Sequence, residues 1–403
     1  MRDQDQKYTK KRDAYRGLTI FLVIISVVYC IFSLFPASTP TAIDLIQYWS
    51  AAKVLSAGQN PYDRAQLLLV QSSVSAATEP IIMWNPPFIV PLIYVFSLLN
   101  FHSLRVLWSS ASIGAVLTII LTGIRFEQSS HTTVHHRALL YLLFATFVPI
   151  IETIGWGQIS VVLLIAISSW WVRYQAAGVN SWQAGAWLSL TLIKPHLFLV
   201  LYLVIILTSL KQRCARLIAG FLIAATILAS FALLIEPRVF SWYLNAMSAP
   251  PTYWRNPNLG SVFQHFLPQY MPLSRFLPVI GASIAILLLS LTKSMSRYVS
   301  NPETHLACLV FSLMVAPYGW IYDQLVLVPF LLLCAQKLSE RAHSKSLTVL
   351  ISVAIISHFS MLILPNNWGQ EKGLISLGAY CLLAVYITYC RSDEMKTHIF
   401  SAS

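Results

Sequence analysis

Long apolar runs recur along the whole chain with short polar breaks between them. They fall near residues 17–36, 86–101, 104–124, 138–152, 157–172, 182–208, 214–235, 273–292, 304–318, 320–336, 346–364 and 373–390. A run that is apolar on every side, and not along one stripe, belongs in lipid or among other helices. Since a crossing takes about 20 residues, the pattern predicts an all-α polytopic membrane protein of about 12 spans, with residues 1–403 forming one transmembrane domain. The runs 138–152 and 304–318 are short for a crossing. Two polar stretches, 37–85 and 236–272, interrupt the rhythm and are expected as long outer loops, where a polytopic enzyme would build its site.

Composition agrees with that class. Hydrophobic residues make up 57% and charged residues 10%, against roughly 25% charged in soluble domains. The net charge of +12 is spread over loop ends, with no basic tract beyond residues 7–16. Membrane lipids are therefore expected as partners and nucleic acid is not. With the N-terminus inside, the predicted topology puts 17 Lys and Arg on the inner side and 9 on the outer, and both termini inside. The first apolar run follows Lys10, Lys11, Arg12 and Arg16, is long and lacks a small-residue cleavage site, so it reads as a retained anchor. None of the six cysteines forms a C-x-x-C pair, and neither a disulfide framework nor a metal site is indicated. His131, His135 and His136 sit in a Ser/Thr-rich stretch without a suitably spaced carboxylate and read as a solvated loop. A Gly-rich phosphate loop is also missing, which argues against a nucleotide substrate.

The chemistry concentrates in residues 38–64. Asp44 follows the first span closely, and behind it comes an expected amphipathic interfacial run with Tyr48, Trp49 and Lys53, then the turn Gly58-Gln59-Asn60-Pro61 and Tyr62-Asp63. A carboxylate held at the membrane surface by such a run suits proton abstraction from a polar substrate. Lys194 lies inside an apolar run, ahead of Pro195 and His196. An intramembrane cation costs roughly 2.5–3.5 kcal/mol and needs a reason. At a proline break it would seat a phosphate, or else pair with an acid such as Glu152. Asp323, with Trp320 and Tyr322 beside it, is expected on the same outer face as Asp44. By the parity of the spans, the turn Gly155-Trp156-Gly157-Gln158 falls on the inner side, where its small residues suit helix packing.

Five segments in order resemble a known family: A-A-K-V-L-S-A-G-Q-N-P-Y-D at 51–63, W-N-P-P-F at 84–88, G-Q-I-S-V-V-L-L at 157–164, A-G-A-W-L-S-L-T-L-I-K-P at 184–195 and A-P-Y-G-W-I-Y-D at 316–323. Together with the outer Asp44 they resemble the polytopic GT-C class glycosyltransferases, and more narrowly glycosyltransferase family 87, the polyprenyl-phosphate-mannose-dependent α-mannosyltransferase group. The resemblance implies a GT-C fold and inverting transfer of a hexose, most simply mannose, from a polyprenyl-phosphate sugar to a hydroxyl of a glycolipid or glycan. It implies no cofactor and no metal beyond that lipid-linked donor. Asp44 falls at the family's catalytic base and Lys194 on its K-P motif. Related mannosyltransferases often carry His where this chain has Tyr322.

The expected site therefore has Asp44 as base and Lys194, His196, Arg255 and His265 at the donor phosphate. Tyr48, Trp49, Tyr62, Asp63, Trp84, Asn85, Gln158, Trp320, Tyr322 and Asp323 would hold sugar and acceptor. The expected setting is a bacterial cytoplasmic membrane, with the site facing outward. A lipid or solute transporter or flippase is the competing class, and a non-catalytic scaffold the third. The gathering of polar residues on one face, and not along a path, favours the enzyme.

Overall fold

Every regular element is helical among the described residues, which are 42–76, 78–126, 147–249, 254–268, 273–292, 302–340 and 373–384 of a computed structural model. The expected spans 17–36 and 346–364, and the histidine stretch 131–136, lie outside them. The helices are α1 Ile43–Ser56, α2 Arg64–Gln71, α3 Pro87–Leu98, α4 Phe101–Phe126, α5 Val148–Trp156, α6 Ser160–Ala177, α7 Trp182–Ser189 and α8 Leu199–Lys211. They continue with α9 Arg216–Ile235, α10 Val239–Met247, α11 Leu259–Phe266, α12 Leu277–Ser290, α13 Pro302–Val315, α14 Val328–Glu340 and α15 Gly373–Ala384.

Three segments are long and apolar enough to cross a bilayer by length and composition among the described residues: Phe101–Gly123, Arg216–Ile235 and Leu273–Ser290. On α9 the side chains of Leu222, Ile223, Ile227, Phe231 and Leu234 are exposed, as on a lipid-facing surface. Its other side packs against α7 with backbones almost touching. A Cβ at Gly185 would lie 1.9 Å from the Leu217 carbonyl oxygen, and one at Gly220 would lie 2.0 Å from that of Trp182. Only hydrogen fits at either position.

Other expected spans are broken, and the breaks make the site. The run 182–208 is not one helix. It consists of α7, a 3-10 turn Leu190–Ile193, Lys194 in a non-helical conformation, a second 3-10 turn Pro195–Leu197, and α8. Pro195 has no N–H and disfavours the helical region for the residue before it, which places the break at Lys194. The run 320–336 likewise begins as a 3-10 helix, Ile321–Leu327, that packs against α5 and α6 before α14 starts. With nine residues, α5 rises only about 14 Å, roughly half a bilayer core.

The expectation for α1 needs correcting. It is not an interfacial amphipathic helix: Leu45 to Ala52 are all buried, polar Gln47 and Ser50 included. Packed against α2 and α3, α1 is a core helix. Trp49 and Lys53, expected at an interface, bond instead to the end of α3. The Trp49 indole donates to the Leu99 carbonyl at 3.0 Å and Lys53 Nζ to the Ser97 carbonyl at 2.5 Å.

Candidate active site

Asp44 stands in the first turn of α1, half-buried at the wall of a cavity of 460 Å³. The residue before α1, Ala42, adopts a left-handed conformation (φ 64°), and its N–H donates to the Gly155 carbonyl at 3.0 Å. This ties the start of α1 to the end of α5. There Gly157 closes α5 at φ 68°, and a Cβ on it would lie 2.7 Å from Leu45 Cβ. Glycine is thus needed twice over, for its conformation and for the approach of α1.

The next residue, Gln158, is 2% exposed and bridges three side chains. Its Nε2 donates to Asp44 Oδ2 at 2.6 Å, while its Oε1 accepts from Tyr48 Oη at 3.1 Å and from Lys194 Nζ at 3.2 Å. The amide orientation follows, because only its oxygen can face a lysine. Lys194 Nζ also donates to Asp323 Oδ1 at 2.7 Å and lies 5.0 Å from the centre of the Tyr322 ring. Ser160 Oγ donates to the same Asp323 oxygen at 2.8 Å, and Asp323 Oδ2 accepts from the Trp320 N–H at 3.0 Å. The lysine's ion-pair partner is thus Asp323, not Glu152, whose carboxylate accepts from the Trp156 indole at 2.5 Å.

This network corrects the span count. Gln158 touches Asp44, so the turn at 155–158 lies at the site and not across the membrane from it. The reason is local: α5 is too short for a crossing, and Gly157 lets it end directly against α1.

Loss of water pushes the Asp44 carboxyl up to about 6. The Gln158 hydrogen bond and the Lys194 charge pull it back down, and Asp323 and Glu152 push it further up. Gln158 engages one carboxylate oxygen only. Oδ1 has no hydrogen-bond partner among the described residues, so a substrate hydroxyl can reach it.

Of the other expected residues, Tyr48, Trp84, Asn85, Gln158, Lys194, His196, Trp320, Tyr322 and Asp323 line the cavity. Five lie outside its lining. Trp49 is turned to α3 and packs on Phe101. Tyr62 donates to the Asn85 carbonyl at 3.1 Å, and Asn85 Nδ2 to the Ile193 carbonyl at 3.0 Å, so this chain braces the Lys194 break from behind. Asp63 is exposed and caps α2 by accepting from the Gln66 N–H at 2.9 Å. Arg255 and His265 are exposed away from the cavity, the latter near Phe266 on α11. An exposed polar side chain is drawn to water, and nothing in the surrounding sequence could say which way it turns.

The buried cation of that region is Arg275, 1% exposed. Its guanidinium donates to Gln264, to the Trp254 carbonyl and to Asn256 Oδ1 (2.9 Å), and lies 4.5 Å from the Tyr318 ring. It thereby holds the two loops that carry Trp254, Tyr318 and Trp320 into the cavity wall. In the topology predicted from sequence, Arg275 is one of the nine Lys and Arg on the outer side. Sequence reasoning also passed over Ser160, whose one signal was its place in G-Q-I-S, and Gln47, one helical turn from Asp44.

Helices that enclose a polar cavity behind apolar outer faces, with an oriented carboxylate and a buried cation, define a membrane-associated enzyme more readily than a scaffold. The chain belongs to glycosyltransferase family 87, whose family model matches residues 84–317. The protein is a glycosyltransferase, all-helical among its described residues. The matched stretch, residues 84–317, holds Trp84, Gln158 and Lys194; Asp323 lies just beyond its end and Asp44 lies well before its start. No curated protein and no solved structure matches the chain.

Proposed function

We propose that the enzyme moves a hexose, most simply mannose, from a polyprenyl-phosphate sugar to an acceptor hydroxyl with inversion, on the outer face of a bacterial cytoplasmic membrane and within a GT-C architecture. The observation that carries the reading is Asp44 in the cavity, one oxygen held by Gln158 and the other open. Asp44 Oδ1 takes the proton of the acceptor hydroxyl. The acceptor oxygen attacks the anomeric carbon, and the carbon–oxygen bond to phosphate breaks on the opposite side, its electron pair leaving with the lipid phosphate. The proton then passes from Asp44 to water.

Lys194 supplies a fixed positive charge beside this path. Its hydrogen bonds to Asp323 and Gln158 hold it in place, so its contribution to a departing phosphate is a preorganised field in a site with little water. Direct contact requires one of those bonds to yield. Trp84, Trp254 and Trp320 give the cavity apolar walls on which a sugar ring and the first isoprene units pack.

The test is transfer of labelled mannose from polyprenyl-phosphate mannose to membrane glycolipid acceptors by the purified protein, with Asp44→Asn alongside. Transfer should fall by at least about a hundredfold in the variant, the usual scale for a general base. Equal transfer by both proteins would remove Asp44 from the role. Transfer from a nucleotide sugar, and none from the lipid-linked one, would overturn the donor assignment.

A further inference from the structure

Gln47 is a cavity residue that the hydrogen-bonded network does not use. It is 8% exposed and lines the same cavity as Asp44. Its side-chain amide meets no hydrogen-bond partner among the described residues, while its backbone carbonyl accepts from Ser50 Oγ at 3.2 Å. The amide is also not sealed in, since neither of its polar atoms is both buried and unsatisfied. A polar group in a helix packed on both sides by Leu45, Ile46, Ala51 and Ala52 is an expensive choice where an apolar residue would pack better. Facing the cavity, it has a use once something binds there.

Its position says which molecule. Asp44, Gln47 and Tyr48 stand at i, i+3 and i+4 on α1, so they share a face, with Cβ atoms of i and i+3 about 5–6 Å apart. Whatever gives its proton to Asp44 is therefore within reach of Gln47. An amide offers two donors and an acceptor at once, which matches a hydroxyl, itself donor and acceptor. A phosphate would leave the amide oxygen facing an anion, and a hydrocarbon would leave both ends unsatisfied.

We infer that Gln47 is a specificity-determining residue that binds a second hydroxyl of a carbohydrate acceptor. The word acceptor rests on Asp44 being the base; the carbohydrate-binding role does not.

The experiment titrates full-length protein in nanodiscs with the methyl α-glycosides of mannose, glucose and galactose, read by saturation-transfer NMR. Wild type, Gln47→Met and Asp44→Asn are compared. At least one glycoside should bind the wild type, and Gln47→Met should weaken it about tenfold, the scale of one or two neutral hydrogen bonds. Thermal unfolding of that variant should be at or above the wild-type temperature, since no bond within the protein is lost; Gln47→Leu repeats the measurement should the methionine variant fold poorly. Wild-type affinity in the folded variants, or no binding of any of the three by wild type, overturns the inference. Transfer activity retained by Asp44→Asn, with glycoside binding still dependent on Gln47, would instead remove the base assignment and leave the carbohydrate site standing.

Discussion

At the scale of single residues, Gln158 couples a buried cation to a half-buried acid. Its amide hands Asp44 a hydrogen bond while accepting one from Lys194, and each bond orients the other. A base must be deprotonated to act, so turnover should fall as pH drops below about 6, where Asp44 takes up its proton. The Gln158 bond favours the charged form, so Gln158→Leu should move that acidic limb to higher pH. A pH–rate profile of both proteins checks this, and a purely structural role would lower the plateau without moving the limb. The Lys194–Asp323 pair is 9% and 2% exposed in its side chains. Removing one partner strands a charge, and Lys194→Met alone should lower stability by about 3–5 kcal/mol. The double variant Lys194→Met with Asp323→Asn should recover much of that loss in thermal unfolding measured in detergent.

At the scale of elements, the site is assembled from interruptions: the left-handed start of α1, the glycine end of α5, the proline break before α8 and the 3-10 entry to α14. Gly157→Ala forces a side chain into a left-handed position and against Leu45. It should cost about 1–3 kcal/mol and reduce turnover, because the same shift moves Gln158 away from Asp44. Circular dichroism melts with activity on the same samples would show both effects together. These elements also explain what could be read from sequence. All-helical membrane character and the break at Lys194-Pro195 were legible, because composition and proline act locally. The pairing of Lys194 with Asp323 was not, since the partner is 129 residues away and Glu152 was as good a candidate by type. The burial of α1 was hidden by Tyr48, Trp49 and Lys53, which suit an interface as well as they suit the bonds they make here. Counting spans failed at 155–158 because a nine-residue helix that ends inside the protein is indistinguishable, by hydropathy, from the end of a crossing.

At the scale of the whole molecule, the exposed pair Arg64–Glu79 (3.3 Å) lies in the cavity lining, which makes that end of the cavity its mouth. The proposed outward orientation places this mouth outside the cell. A cysteine introduced at Arg64, in a background lacking the six native cysteines, should react with a membrane-impermeant maleimide on intact cells. Reaction in inverted vesicles only would reverse the topology.

The Lys194–Asp323 pair also bears on how the protein is made. Lys194 enters the membrane with its apolar segment long before Asp323 leaves the ribosome. Through that interval the growing chain carries a lysine whose ion-pair partner has not yet been made. A chain that stops short of Asp323 keeps it so. The ion pair that holds the lysine in the finished site therefore forms only after Asp323 has been made.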